Sequence, residues 1–521
     1  MDVGWITAAP SAQLAVGDRD RVAFSLERDQ RVSYAELLAL QNRYANALLE
    51  LGVEKGDRVG VLLFNSVDYV ALYFAIARIG AIAVRLNTRL AAEELEFALT
   101  DSEASVLCLG SDFLDPVETI RGRLGVRRYL LFGGHPGAAP GWALDAADFA
   151  LSDAEPAVPR PGGSDPVMLM YTSGTTGFPK AALWTHDTAV GCAVAQALEL
   201  RYDATTVAMT TGPLYHAGAF EALLMPALLR QGRAIATRSG GFDIERVVEV
   251  AIAEGVTDLF VYPFMLYDLM RMPGLDAARL PSLRCLFTGG DPIMTWALEA
   301  VRERFPEVEL KQGYGLTEST QATCLDGADG ARHPDSIGRP FPLKEVEVVD
   351  ADGEVLAEDE VGEIRVRGLG TVSAYWRRPE VSAETFSPDG WMRTGDVGRV
   401  SDGLLFLAGR KKDMIRSGGE NISPAEVEKV LTQHPAIADA ALVAVPNAKY
   451  LEVGCAVLVL EDGSELSDEE VFAHCREHLA KYKCPKHAVR VEELPRNASG
   501  KVLKAKLRER YRKLGEEPVG R

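Results

Sequence analysis

The first half of the chain alternates two hydrophobic periods. Ser33-x-x-Glu36 forms a capping box, in which a hydroxyl and a carboxylate take up the free backbone N–H groups of a helix start. Leu37, Leu40, Tyr44 and Leu48 follow at helical spacing, and Gly52 ends the run. Residues 58–63 read as a short apolar strand, and helix–strand pairs recur around residues 70–84, 95–109 and 244–261. Such alternation predicts parallel sheets covered by helices. With 521 residues, the chain is too long for one core and divides into roughly two to four domains. Residues 136–166, rich in Pro, Gly, Ala and Asp, read as a surface connector. From about residue 337 the pattern changes to short antiparallel strands at 346–349, 362–367 and 404–407, with Asp-Gly turns at 352–353 and 402–403. A final segment, about 411–521, mixes helices with short strands.

Charge and cysteine usage narrow the class. A net charge of −19 argues against nucleic acid as the main partner. Residues 471–521 are nevertheless basic on balance, which suits a polyanionic ligand or a solvated helical face. The longest apolar stretch, residues 69–84, is broken by Arg78 and Gly80 and is too short to span a bilayer. No basic region followed by an apolar run opens the chain, and the seven cysteines form no CxxC pair. These features predict a cytoplasmic protein with reduced thiols and no integral membrane segment. Cys475 and Cys484 lie near His474, His478 and His487, but the spacing fits no standard zinc motif, so ordinary placement is favoured.

The densest chemistry lies in residues 171–180, Tyr-Thr-Ser-Gly-Thr-Thr-Gly-Phe-Pro-Lys. Glycines let backbone N–H groups approach an anion, Thr172, Ser173, Thr175 and Thr176 supply hydroxyls, and Lys180 supplies a mobile charge. An apolar run at 167–170 precedes it like a strand feeding a loop. It is not a Walker A loop, because Phe178 and Pro179 separate Gly177 from Lys180. Alone, it reads equally as a polyphosphate cradle or a connecting loop. In Gln312-Gly-Tyr-Gly-Leu-Thr-Glu318, Gly313 and Gly315 suggest a tight turn, Tyr314 a stacking face, and Glu318 a ligand for Mg2+. Thr288-Gly-Gly-Asp-Pro292 ends an apolar run, and Thr394-Gly-Asp396 offers a carboxylate for a ribose; a plain turn is the alternative for each. Residues 409–415 and 417–421 read as a charged junction and a flexible loop. Residues 495–501 end in Lys501 after a Ser-Gly turn.

In this order the motifs YTSGTTGFPK, YGLTE, TGD, GRKKDMI and PRNASGK resemble the adenylate-forming superfamily over about residues 15–515. The phrase GRKKDMIRSGGENISPAEVE looks most like bacterial fatty acyl-CoA ligases. The resemblance implies an α/β fold. A large N-terminal domain, residues 1–409, would hold parallel α/β sheets and a small β-barrel-like subdomain. A small mobile α+β C-terminal domain, residues 410–521, would turn about a hinge near Lys412. It implies an AMP-forming carboxylate–CoA ligase for a fatty or other hydrophobic acid, using ATP, Mg2+ and coenzyme A. An acyl or aryl acid adenylating enzyme that loads a carrier protein is the alternative. A homodimer is compatible with the sequence but not specified by it.

The same resemblance assigns roles. Thr172, Ser173, Gly174, Thr175, Thr176, Gly177 and Lys180 would hold the β- and γ-phosphates. Thr317 would contact the α-phosphate and Glu318 the Mg2+. Tyr314, Gly289 and Gly290 would frame the adenine, and Asp396 and Arg410 the ribose. Lys501 would bridge the carboxylate and α-phosphate. Gly418 and Gly419 would replace it after domain rotation and line the pantetheine tunnel. His216 would sit between acyl pocket and tunnel. Tyr215-His216 offers no carboxylate for a substrate ammonium, which disfavours an α-amino acid. Two departures stand out: Lys180-Ala-Ala182 replaces the usual Lys-Gly-Val, and Tyr450-Leu-Glu452 replaces the frequent Trp-Gly-Glu near the expected CoA entrance.

Overall fold

The computed structural model describes residues 19–133, 139–149, 152–172, 179–290, 293–410, 413–417, 420–447, 449–496 and 502–516. The chain forms two compact units. One comprises Met1–Val346 and Val366–Met392, and the other Glu347–Arg365 and Arg393–Arg521.

The first unit is built on two sheets. A seven-stranded sheet runs in the order Leu144–Asp145, Arg128–Phe132, Val106–Gly110, Arg58–Leu62, Ile82–Arg85, Pro166–Thr172, Lys180–Thr185. Its strands pair parallel except at the Lys180–Thr185 edge. A nine-stranded sheet runs Arg339–Pro340, Thr320–Leu325, Glu309–Leu316, Cys285–Gly289, Asp258–Phe260, Val207–Thr210, Arg233–Ala236, Val22–Leu26, Gln30–Ser33. Its middle is parallel and its outer strands antiparallel.

Local chemistry explains these elements. Ser33 caps helix Tyr34–Glu50 reciprocally with Glu36, and Gly52 lies at φ 79°, where an L side chain is strained. Val106–Gly110 is buried along its whole length, as expected for a strand covered on both faces. Nearly every residue of helix Val67–Arg78 is buried. Its side chains share one core cluster with Phe24, Val59, Val61, Met168, Ala208 and Phe287 from both sheets. The expected surface connector is more ordered than its composition suggests, because Leu144–Asp145 adds an edge strand beside Arg128–Phe132.

A four-stranded sheet orders Lys344–Val349, Gly362–Gly368, Met392–Ser401 and Leu404–Arg410. Asp402 and Gly403 take left-handed φ values of 52° and 69°, the geometry of a tight hairpin turn. In the second unit, Leu451–Leu460 pairs with Ile437–Asn447 and with His487–Arg490. Side chains alternate along Ile437–Asn447. Ala440 and Leu442 enter one core with Val427 and Val471, while Ala441, Val443 and Val445 enter another with Leu494 and Leu507. Both faces are therefore covered. Among the described residues, no helix is long and apolar enough to cross a membrane.

Candidate active site

Four neighbouring strands of the nine-stranded sheet, Val207–Thr210, Asp258–Phe260, Cys285–Gly289 and Glu309–Leu316, run parallel. Their carboxyl ends share one edge, and the residues that follow them crowd there: His216, Tyr262, Gly290, Thr317 and Glu318. Open α/β sheets bind ligands at this edge.

The glycines are steric requirements. A Cβ on Gly289 would lie 2.5 Å from the Gly313 carbonyl, and one on Gly313 would press at 3.0 Å on Phe287 and Gln321. Gly290 has φ +100°, which excludes L side chains. The tight turn expected at Gly313 and Gly315 is instead continuous strand. The turn follows, with Ser319 N–H donating to Leu316 O at 3.2 Å and Thr320 at φ 55°. A Cβ on Gly315 would overlap the Thr320 carbonyl, so the turn folds back over that glycine. Tyr314 is half-buried beside Ala322, Val366 and Met392, and Thr317 is half-buried at the strand end.

Glu318 is 7% exposed. Its Oε1 accepts the Tyr375 hydroxyl at 2.8 Å, and its carbonyl accepts Val372 N–H at 2.8 Å. Among the described residues no cation pairs with this carboxylate, which leaves a hard oxygen donor suited to Mg2+. The Lys180 ammonium lies 3.9 Å from the centre of the Tyr375 ring, a cation–π distance. Lys180 is placed by hairpin pairing, opposite Thr172, whose hydroxyl donates to the Lys180 carbonyl at 3.3 Å. Tyr375 is held in turn by the neighbouring strand. It bridges Ala182, Leu183 N–H donates to Ala374 O at 3.1 Å, and Trp376 N–H donates to Ala181 O at 2.9 Å. One buried tyrosine thus joins a lysine from the seven-stranded sheet to a glutamate beside the nine-stranded one. No motif marks Tyr375; only its pairing across the sheet edge reveals it.

His216 is half-buried after strand Val207–Thr210. Its Nδ1 accepts Gly218 N–H at 3.1 Å, which puts the neutral ring's proton on Nε2. The ring meets Tyr262 edge-on at 6.4 Å, and Tyr262 packs on Phe260 at 5.0 Å. The preceding backbone is clamped. Asn65 Oδ1 accepts Leu214 N–H at 2.8 Å and Asn65 Nδ2 donates to Gly212 O at 3.1 Å. Arg85 donates to Leu214 O and pairs with Glu221. Both members of that pair are fully buried, and Arg85 also donates to the Tyr69 hydroxyl at 3.0 Å. Burial pushes the Glu221 carboxyl upward against the pull of Arg85. Nothing local in the sequence marks these clamps, because Asn65, Arg85 and Glu221 lie in separate apolar segments.

In the second unit, Asp396 is buried on strand Met392–Ser401 rather than in a turn. It pairs across the ladder with Arg410, whose Nε lies 2.6 Å from Asp396 Oδ1. The Thr394 hydroxyl accepts Asp396 N–H at 3.0 Å. Ser173, Gly174, Thr175, Thr176, Gly177, Lys412, Gly418, Gly419 and Lys501 lie outside the described residues.

Close-packed glycines, a buried carboxylate and a lysine-bearing hairpin at the ends of parallel strands suit the binding of a phosphorylated ligand. Comparison with known proteins identifies the class. Residues 12–376 match the AMP-binding enzyme family and residues 426–501 the AMP-binding enzyme C-terminal domain. The chain belongs to this family and is an AMP-forming acid–thiol ligase, an enzyme class that uses ATP, Mg2+ and coenzyme A. It is 34% identical over 519 residues to the long-chain-fatty-acid–CoA ligase FadD13 of Mycobacterium tuberculosis, covering 98% of each chain. It is 38% identical over 482 residues to a feruloyl-CoA synthase of Amycolatopsis, covering 92% of this chain and 94% of the other. ATP-bound MatB of Rhodopseudomonas palustris superposes with a TM-score of 0.88 at 28% identity, over 99% of this chain and 100% of that one.

Proposed function

We propose that the protein activates a hydrophobic carboxylic acid, fatty or aryl, and passes its acyl group to coenzyme A. The observation that supports this reading most strongly is the meeting of Lys180, Tyr375 and Glu318 beside the ends of the parallel strands. A carboxylate is a poor acyl donor because oxide is a poor leaving group. Attack on the α-phosphate of ATP makes a mixed anhydride from which AMP leaves readily. That step needs positioning and charge neutralisation more than covalent help.

In this reading Thr172, Ser173, Gly174, Thr175, Thr176, Gly177 and Lys180 grip the departing pyrophosphate. Glu318 holds Mg2+, which when bound neutralises phosphate charge. Thr317 orients the α-phosphate, Gly289, Gly290 and Tyr314 frame the adenine, and Asp396 and Arg410 hold the ribose. Lys501 spans the developing bond between carboxylate and phosphorus. The acid lies against His216, Tyr262 and Phe260, an uncharged aromatic wall. The similarity to a long-chain-fatty-acid ligase and a feruloyl-CoA synthase supports this range of acids. The domains divide at residues 409 and 410. Rotation about Lys412 exchanges Lys501 for Gly418 and Gly419, and the basic 471–521 region helps attract the phosphates of CoA. We place the enzyme in the cytoplasm, with a homodimer as its assembly.

The test is pyrophosphate release from ATP and Mg2+ with a panel of fatty, aryl and amino acids, with and without coenzyme A. Release with hydrophobic acids and thioester formation on adding CoA are expected. Release only with amino acids would overturn the proposed substrate class. Pyrophosphate without any acyl-CoA would favour a carrier protein as acceptor.

A further inference from the structure

Lys344 opens strand Lys344–Val349 and is 8% exposed. Among the described residues no carboxylate pairs with it. Its ammonium donates to Ser319 O at 2.8 Å and to Thr371 Oγ1 at 2.7 Å. Burying an ammonium without a counter-ion is unfavourable, and burial pushes the Lys344 pKa down to about 7. Ser319 directly follows Glu318. The Glu318 carbonyl is already fixed by Val372 N–H, and its carboxylate by the Tyr375 hydroxyl. The Gly315–Thr320 turn and the 371–375 segment are therefore joined at three places, of which Lys344 is the only one made by a third segment. The backbone that delivers Lys344 is itself constrained. Leu343 has φ 61°, and its carbonyl accepts Leu369 N–H at 3.2 Å.

We propose that Lys344 is a positioning residue for Glu318, tying the turn that carries this carboxylate to the loop that carries Tyr375. The inference rests on the reading that Glu318 holds Mg2+. The Glu318 carbonyl and the next one along the chain, that of Ser319, are both pinned, which restrains the backbone from which the Glu318 side chain leaves. Without the ammonium, Ser319 O loses its donor and the turn, strained at Thr320, is free to re-aim the carboxylate. One nitrogen reaches Ser319 and Thr371 together.

The experiment measures acid-dependent pyrophosphate release against Mg2+ concentration for wild type, Lys344→Met, Thr371→Val and Glu318→Gln, with the melting temperature of each. Partners that orient a metal-binding group are worth about 10–100-fold in metal affinity or activity. Lys344→Met is expected to raise half-saturating Mg2+ within that range while leaving metal-free ATP binding, followed in EDTA, within about twofold. Thr371→Val removes one end of the same tie and is expected to shift Mg2+ dependence in the same direction by a smaller factor, so the idea remains testable if Lys344→Met fails to fold. An unchanged Mg2+ dependence in Glu318→Gln would overturn the metal role of Glu318 itself. A shifted Glu318→Gln together with wild-type Mg2+ dependence in Lys344→Met or, should that variant not fold, in Thr371→Val would overturn the role of Lys344 alone.

Discussion

At the scale of single residues, the Tyr375 side chain serves two polar partners. Tyr375→Phe keeps the ring beneath Lys180 and removes the hydroxyl from Glu318. We expect kcat for adenylation to fall by about tenfold, with stability lowered by about 1 kcal/mol; steady-state kinetics and urea unfolding check both. Unchanged kcat would remove Tyr375 from the site. The Arg85–Glu221 pair behaves differently. Arg85→Met strands a fully buried carboxylate and is expected to cost about 3–5 kcal/mol. Pairing it with Glu221→Leu should recover most of that loss. His186 gives a pH dependence. Its ring is fully buried, neither nitrogen has a hydrogen-bond partner among the described residues, and burial holds its pKa down at about 4, partly offset by Asp165. The unfolded chain therefore binds more protons than the native state between about pH 6.5 and 4. Stability should fall as pH drops through that window, by about 3 kcal/mol in total, and His186→Met should flatten the slope in denaturation series.

At the scale of elements, the turn after Glu309–Leu316 is the sensitive point. Gly315→Ala would drive a methyl group into the Thr320 carbonyl, at a cost of about 1–3 kcal/mol. Adenylation should be lost well before the fold, which melting curves and pyrophosphate assays on the same sample would show. Much of this architecture was legible in sequence, since apolar runs, a capping box and Asp-Gly pairs are local signals. Strand Pro166–Thr172 and helix Tyr34–Glu50 follow directly from them. What was hidden depends on pairing between distant segments. Asp396 sits within a ten-residue strand because Leu404–Arg410 pairs against it. Gly313 and Gly315 read as turn residues, whereas close neighbours make them strand residues. Lys344 looks like an ordinary exposed lysine until the loops around it are folded.

At the scale of the whole molecule, the chain forms two compact units and matches two family models, over residues 12–376 and 426–501. The proposed alternation of Lys501 with Gly418 and Gly419 predicts a separable defect. Lys501→Ala should abolish acyl-adenylate formation yet still convert supplied acyl-adenylate and CoA to thioester. Equal loss of both steps would argue against alternation. The central claim, that the enzyme activates its acid by adenylation, is tested most directly by the fate of ATP labelled in the α-phosphate. With a hydrophobic acid, Mg2+ and coenzyme A, label should appear as AMP in proportion to the thioester made. Label recovered as ADP, with orthophosphate released, would contradict it.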